Sequence, residues 1–277
     1  MARRFHQVDV FTDQALRGNP LAVVHDAQGL SDADMAALAR WTHLSETTFL
    51  LPPTDPGADY RVRIFTPGGE LPFAGHPTLG TCQAWRWAGG RPRDPDTIVQ
   101  QCGVGLVRVR RDGDRLAFAA PPLRRTGPLD PGDLTTLCQA LGLQQEQVCA
   151  HQWVDNGPGW CALMLHDAQT VLSVRPDAQA LGAFKVGLIG PHSEGGPADF
   201  EVRAFVPGMG IAEDPVTGSL NAGLAQWLFG SGLASQPYRV RQGTCVGADG
   251  RVYLSRVGDD VWVAGQVVPV IEGEIGL

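Results

Sequence analysis

RVRIFTPGG at residues 61–69 comes back as EVRAFVPGMG at residues 201–210. Arg63, Phe65, Pro67 and Gly68 match Arg203, Phe205, Pro207 and Gly208, each pair 140 positions apart. Both stretches run into a turn, PFAGHPTLG in the first half and AEDPVTGSL in the second. Both turns lead into helical segments that carry a tryptophan and end in glycine, TLGTCQAWRWAGG and SLNAGLAQWLFGSG. Two copies are too few for a solenoid, so the pattern indicates a duplicated domain.

The agreement continues downstream. QCGVGLVRVRRDGDRLAFAAP alternates as two strands joined at an Asp-Gly turn, and VRQGTCVGADGRVYLSRVGDDVWVAGQVV does the same. Each half is strand-rich, with a helix leaving a glycine-bearing turn. The fold class is therefore α+β in two pseudo-symmetric lobes, residues 1–126 and 127–277. The link falls in APPLRRTGPLDPGD (120–133), where prolines and glycines cluster. LSDADMAALARWTHL (30–44) and DLTTLCQALGL (133–143) have helical apolar spacing, with Ser31 and Asp133 as expected N-caps.

Composition narrows the class. Of 277 residues, 43% are hydrophobic and 18% charged, which suits a chain that buries a sizeable core. The 35 glycines and 21 prolines are dispersed, so they mark tight turns rather than a low-complexity chain. The net charge of −7, with no basic run, argues against nucleic acid. MARRFHQVDVF has no apolar core of signal-peptide length, and no stretch nears the ~18 apolar residues of a membrane helix. Cys82, Cys102, Cys138, Cys149, Cys161 and Cys245 are irregularly spaced with no C-x-x-C pair. The expectation is a cytoplasmic protein with reduced thiols, no metal centre and no membrane partner.

A duplicated fold lets equivalent turns face one another across a pseudo-twofold cleft, and such clefts are preferred ligand sites. Two helix N-termini would then present N–H groups to a substrate carboxylate or a developing oxyanion. Three residues stand at turns or element edges where such chemistry is expected. Glu46, in LSETTFL, enters an apolar strand, and desolvation there raises a carboxyl toward the range useful for proton transfer. His76 follows Gly75 in GHPTLG, at a position whose counterpart in the second copy falls at or beside Asp214. Asp214 precedes Pro215, where it either caps a helix or faces the cleft, and Glu213 beside it is expected to be a structural cap. Asn19 sits in the turn signal Gly18-Asn19-Pro20.

Taken together, Gly18-Asn19-Pro20, Ser45-Glu46-Thr47-Thr48-Phe49, Arg63-Ile64-Phe65-Thr66-Pro67, Gly75-His76-Pro77-Thr78 and Asp214-Pro215-Val216-Thr217-Gly218-Ser219 resemble the PhzF-like family of phenazine biosynthesis. The motifs run in the family's order over essentially the whole chain. The resemblance implies a diaminopimelate-epimerase-like fold, each lobe a central helix wrapped by a curved mixed sheet. It implies a homodimer acting on a small-molecule substrate with no metal or organic cofactor. It implies an isomerase, typified by the enzyme for trans-2,3-dihydro-3-hydroxyanthranilate. In that reading Glu46 is the acid/base, and His76 and Asp214 orient the substrate or relay protons. Ser219, with N–H groups near Gly75 and Gly218, binds polar groups such as a carboxylate, while Ser45 and Asn19 complete the pocket wall.

Related epimerases of this fold use two cysteines, one at each helix entrance. No cysteine lies in AGHPT or EDPVTGS, and Cys82 is several residues into its helix, so a two-thiol racemase is disfavoured. A single carboxylate can remove a proton from one carbon and return it to another on the same face. A hydrolase or lyase finds no G-x-S-x-G or H-E-x-x-H motif. The remaining alternative is a non-catalytic homologue that binds a small molecule.

Overall fold

The computed structural model describes residues 2–207 and 212–277. Its chain divides into two compact units, Met1–Ala119 with Ala264–Leu277, and Ala120–Val263. The fold is α+β, and each unit carries a mixed set of strands.

In the first unit β1 (Ala2–Val10) pairs antiparallel with β2 (Asn19–Val24). After α1 (Asp32–Thr42), β3 (Thr47–Leu51) lies parallel to β2 and antiparallel to β4 (Tyr60–Thr66). The chain folds back through short β5 (Gly69–Leu71) into α2 (Gly75–Trp87), and returns as β6 (Thr97–Cys102), parallel to β4. β7 (Gly105–Asp112) and β8 (Arg115–Ala119) complete a meander. Their hairpin closes at Asp112↔Arg115, and Gly113 supplies the positive φ of 65° expected of the Asp-Gly turn.

The second unit begins with α3 (Pro131–Leu141) and repeats the order. β9 (Val148–Trp153) is antiparallel to β10 (Trp160–Leu165), and α4 (Ala168–Ser173) and α5 (Ala178–Leu181) lead to β11 (Lys185–Pro191), parallel to β10. β12 (Phe200–Phe205) is antiparallel to β11 and to short β13 (Glu213–Asp214). α6 (Gly218–Ser231) then crosses to β14 (Tyr238–Gln242), parallel to β12, followed by β15 (Gly250–Val257) and β16 (Asp260–Gly265). From β9 through β15 the sense of each pairing matches its counterpart in the first unit, so the duplication read from two short stretches extends through the topology. Gly208, matched to Gly68 in the sequence, lies outside the described residues.

The division differs from a break at residues 126/127 because of the C-terminal strand. β17 (Val267–Gly276) runs antiparallel along β1 from Ala2↔Gly276 to Val10↔Val267, so the chain end belongs to the first unit. One edge of β1 is taken by β2, and β17 satisfies the N–H and C=O groups on the other. Ser31 is the N-cap of α1, forming a capping box with Asp34. Asp133 is not the cap of α3. That helix starts earlier, at Pro131 after Asp130, because proline at the first position has no N–H to lose, and Asp133 sits in the first turn. The longest described helix, α6, has 14 residues, and no helix is long and apolar enough to cross a membrane.

The repeated Arg and Phe are structural in both units. Phe65 packs with Val24, Met35, Leu38 and Phe49, and Phe205 packs with Leu137, Leu141, Leu163 and Val171. The guanidinium of Arg63 lies 5.0 Å from the Phe65 ring centre, and that of Arg203 lies 4.8 Å from the Phe205 ring. Each arginine forks onto a glutamate of the next short strand. Arg63 reaches both Glu70 oxygens at 2.8 and 2.6 Å, and Arg203 reaches both Glu213 oxygens at 3.1 and 2.7 Å. The remaining nitrogen ties the strand to a helix. Arg63 Nη1 donates to Asp32 at the start of α1, and Arg203 Nη1 donates to the carbonyls of Val171 and Val174 at the end of α4. Glu213 is therefore the partner of Arg203, not a helix cap.

Burial separates the two forks. The Arg203 and Glu213 side chains are 4% and 6% exposed, against 17% and 41% for Arg63 and Glu70. Removing one member of a buried pair strands an uncompensated charge and costs about 3–5 kcal/mol, whereas an exposed pair contributes about 1 kcal/mol or less. Glu213→Gln is thus expected to destabilise the protein several times more than Glu70→Gln in urea unfolding. Equal effects would show that the two forks carry equal weight.

Candidate active site

Helices α2 and α6 are the central helices of their units, and both enter on glycine. α2 packs against β1, β2, β3, β6 and β8, and α6 against β10 and β15. Close approach requires glycine one turn in. A Cβ on Gly80 would sit 2.6 Å from the Leu21 side chain, and one on Gly223 would meet the Val154 carbonyl oxygen.

The helix starts are buried and open. Ala74 and Thr217 stand at the N-cap positions with no side-chain capping bond, and neither first turn contains an acid. By contrast, Ser31, Asp167 and Asp177 cap α1, α4 and α5 through their side chains. Among the described residues, the first N–H groups of α2 and α6 thus carry the positive end of the helix dipole with no cap from the side chain at their own N-cap position. That is the arrangement that receives an anion.

In the first unit the structure brings together Asn19, Ser45, Glu46, Gly75 and His76. Glu46 is the last residue before β3 and is buried, at 8% exposed. Its position is fixed by threonines on either side of the strand. Thr47 Oγ1 pairs with Thr42 Oγ1 at the end of α1, and Thr48 Oγ1 accepts from Thr81 Oγ1 of α2 at 2.8 Å. His76, the second residue of α2, is 4% exposed, and its Nε2 lies 3.4 Å from Glu46 Oε2. That approach lacks hydrogen-bond geometry, and His76 Nε2 has no hydrogen bond among the described residues. Ser45 Oγ donates to Asn19 Oδ1 at 3.4 Å, placing the fully buried Asn19 beside the same turn.

Burial pushes the His76 imidazole down to about 3, so the ring is neutral across the physiological range. A neutral ring beside Glu46 can donate one hydrogen bond and accept another without the cost of a buried imidazolium. Cys82 is fully buried further along α2, and desolvation pushes its thiol up to about 12.

In the second unit Asp214, Gly218 and Ser219 belong to a densely bonded group. Asp214 Oδ2 accepts from Thr217 Oγ1 at 2.5 Å. Gln242, fully buried on β14, binds the Asp214 carbonyl, the Thr217 hydroxyl and amide, and the Asn221 side chain. Ser219 Oγ accepts from Trp160 Nε1 at 3.0 Å, and Asn156 Nδ2 donates to the Ser219 carbonyl at 2.8 Å. Of these supporting residues Thr217 belonged to a motif read in the sequence, whereas Gln242, Asn221, Trp160 and Asn156 were not singled out there. Gln242 had a readable signal: it occupies an inward position of the alternation Tyr238, Val240, Gln242, where an apolar residue is expected. Gln100, inward after Ile98 on β6, plays the matching part in the first unit, donating to Thr78 Oγ1 at 3.0 Å. Asn156 and Trp160 carried no such signal, since their partner lies about 60 residues away.

The structural equivalence corrects one sequence expectation. Phe65 pairs with Glu70 and Phe205 with Glu213, while Gly75 and Gly218 both open central helices. His76 therefore corresponds to Ser219, and Asp214 corresponds to Leu71. The second copy has three more residues between its phenylalanine and glutamate, which shifts the fixed 140-position offset before the helix begins.

The His76 state has a pH consequence. Unfolded, the ring binds a proton near its ordinary value of 6.5, and folded only near 3. Between these limits the unfolded state holds more protons, so stability falls as pH drops through the window. His25, depressed to about 4 by burial, acts in the same direction. His76→Asn is expected to flatten this decline by up to one proton's worth, about 1.4 kcal/mol per pH unit. Urea unfolding between pH 7 and 4 tests it, and an unchanged slope would mean that His76 titrates alike in both states.

A profile of the PhzC-PhzF family, described as phenazine biosynthesis-like protein, matches residues 8–273. Antisense-enhancing sequence 1 of Schizosaccharomyces pombe is 36% identical, covering 98% of this chain and 97% of that protein. The trans-2,3-dihydro-3-hydroxyanthranilate isomerase of Pseudomonas aeruginosa is 33% identical, covering 97% and 94%. Among solved structures, the Enterococcus faecalis PhzF-family phenazine biosynthesis protein superposes with a TM-score of 0.83 at 26% identity, covering 100% of both chains.

Proposed function

The chain belongs to the PhzC-PhzF family of phenazine biosynthesis-like proteins and is an isomerase, and from that premise we propose that Glu46 is its proton carrier. The observation that carries this reading is the buried Glu46–His76 pair at the open start of α2. Glu46 removes a proton from one carbon of the substrate and returns it to another. Neutral His76 holds or polarises the substrate group next to that carbon. The open N–H groups of Gly75 and His76 favour a substrate bearing a carboxylate, whose charge the helix dipole stabilises. In the second unit, Asp214, Gly218 and Ser219 at the start of α6 offer a carboxylate, helix N–H groups and a hydroxyl to polar substituents.

The substrate we propose is a small cyclic carboxylate with an amine or hydroxyl, of the kind named for the P. aeruginosa relative. A two-thiol racemase finds no support at the helix starts, where His76 and Ser219 stand and the nearest α2 thiol is the deeply buried Cys82. Incubation with trans-2,3-dihydro-3-hydroxyanthranilate in D2O is expected to place solvent deuterium in the product. Glu46→Gln should slow this by about a hundredfold or more while thermal shift still reports ligand binding. Undiminished exchange in Glu46→Gln would remove Glu46 from the chemistry, and absence of exchange despite binding in the wild type would favour a non-catalytic homologue.

A further inference from the structure

Cys149 and His166 lie outside every residue assigned above, on the surface of the second unit. Cys149 is the residue after the first position of β9, and His166 is the residue after β10. The two strands pair Met164↔Ala150 and then Leu165↔Val148, so Cys149 is the extra residue of a β-bulge. A bulge turns its side chain out of the regular alternation. Here it brings Cys149 Sγ to 3.1 Å from His166 Nδ1.

The other ring nitrogen settles which proton goes where. His166 Nε2 is 3.0 Å from the Glu146 carbonyl oxygen, which can only accept. Nε2 must therefore carry the hydrogen, leaving Nδ1 of the neutral ring as an acceptor aimed at the thiol. A thiol, an imidazole base and a third group orienting the base make up the arrangement of an activated sulfur nucleophile.

The other cysteines differ. Cys82, Cys138 and Cys161 are buried, and burial raises the thiols of all three and of the half-buried Cys102. Cys245 is exposed like Cys149, yet its Sγ faces the Leu172 carbonyl, which cannot take the proton. Exposure is thus shared by two described thiols, and the base belongs to one.

We propose that Cys149 and His166 form a surface dyad that takes up small disulfides by thiol–disulfide exchange. Cys149 Sγ attacks one sulfur of the disulfide as its proton passes to His166 Nδ1. A new S–S bond forms to Cys149, and the old S–S bond breaks. The displaced sulfur leaves with the electron pair and recovers the proton from the imidazolium. Cys149 is oxidised to a mixed disulfide, and one half of the small disulfide is reduced to a thiol. No further oxidant is required, and a thiol reductant reverses the step.

The test uses the intact protein with glutathione disulfide, followed over time by peptide mapping in a mass spectrometer. Cys149 is expected to acquire the adduct about tenfold or more faster than Cys245, which serves as the exposed control without a base. His166→Gln should slow Cys149 by about tenfold or more and leave Cys245 unchanged. Cys149→Ser should abolish the fast adduct and leave isomerase turnover as it was, because neither Cys149 nor His166 is among the residues assigned to the reaction. Equal rates at Cys149 and Cys245 in the wild type, which needs no variant to fold, would overturn the proposal. An unchanged Cys149 rate in His166→Gln would do the same.

Discussion

A buried helix start must find partners for its N–H groups, and that constraint organises both units of this chain. The first N–H groups of a helix have no partner within it, and burying them bare costs free energy that a surface helix avoids through water. Three peripheral helices meet the requirement with Ser31, Asp167 and Asp177, and α3, which has no side-chain cap, starts on Pro131, whose nitrogen carries no hydrogen. Among the described residues, the two central helices, which start at Gly75 and Gly218, lack a side-chain cap, and these are the two places in the duplicated fold where function is proposed. The surrounding structure supports that openness without closing it. Gln100 and Gln242 bind threonines of the first turn or cap position, Thr78 and Thr217, and glycines one turn further in admit the neighbouring backbone and side chains.

Duplication preserved this scaffold and let the chemistry diverge. Thr47 pairs with Phe65 and Val186 with Phe205, so Glu46, just before β3, is matched by Lys185, the first residue of β11. The second residue of the central helix is His76 in one and Ser219 in the other. A carboxylate stands before the strand in the first unit and before the helix in the second. The two halves are thus equivalent as structure and complementary as chemistry. Under the proposed reaction with Glu46 as the one proton carrier, a second copy of it is not required.

Much of this was legible in the sequence, and what was not follows from the physics of packing. The repeat, the central helices opening at glycine, the Asp-Gly hairpin and the Ser31 cap each depend on residues close together in the chain. The pairing of β17 with β1 could not be read, because a strand's edge partner is set by which edge remains unfilled. The Trp160 and Asn156 contacts to Ser219 escaped for the same reason. Within the candidate site, Glu46, His76, Ser45 and Asn19 were read as a set, and their contacts join them. The counterpart of His76 was misplaced, since an offset measured on strands fails once the connecting turn gains residues.

Glu213 and Asp214 show how one rule separates neighbours that look alike in the sequence. Successive residues of a strand project to opposite faces. On β13 this sends Glu213 to Arg203, on the side where Phe205 packs, and leaves Asp214 for Thr217 at the helix start. In the first unit the same alternation on β5 gives Glu70 to Arg63, and the residue on the other side is Leu71. The glutamate position is therefore occupied identically in both copies because the arginine beneath it demands a charge. The next position answers to no such demand, and it is free to be a leucine in one copy and an aspartate in the other.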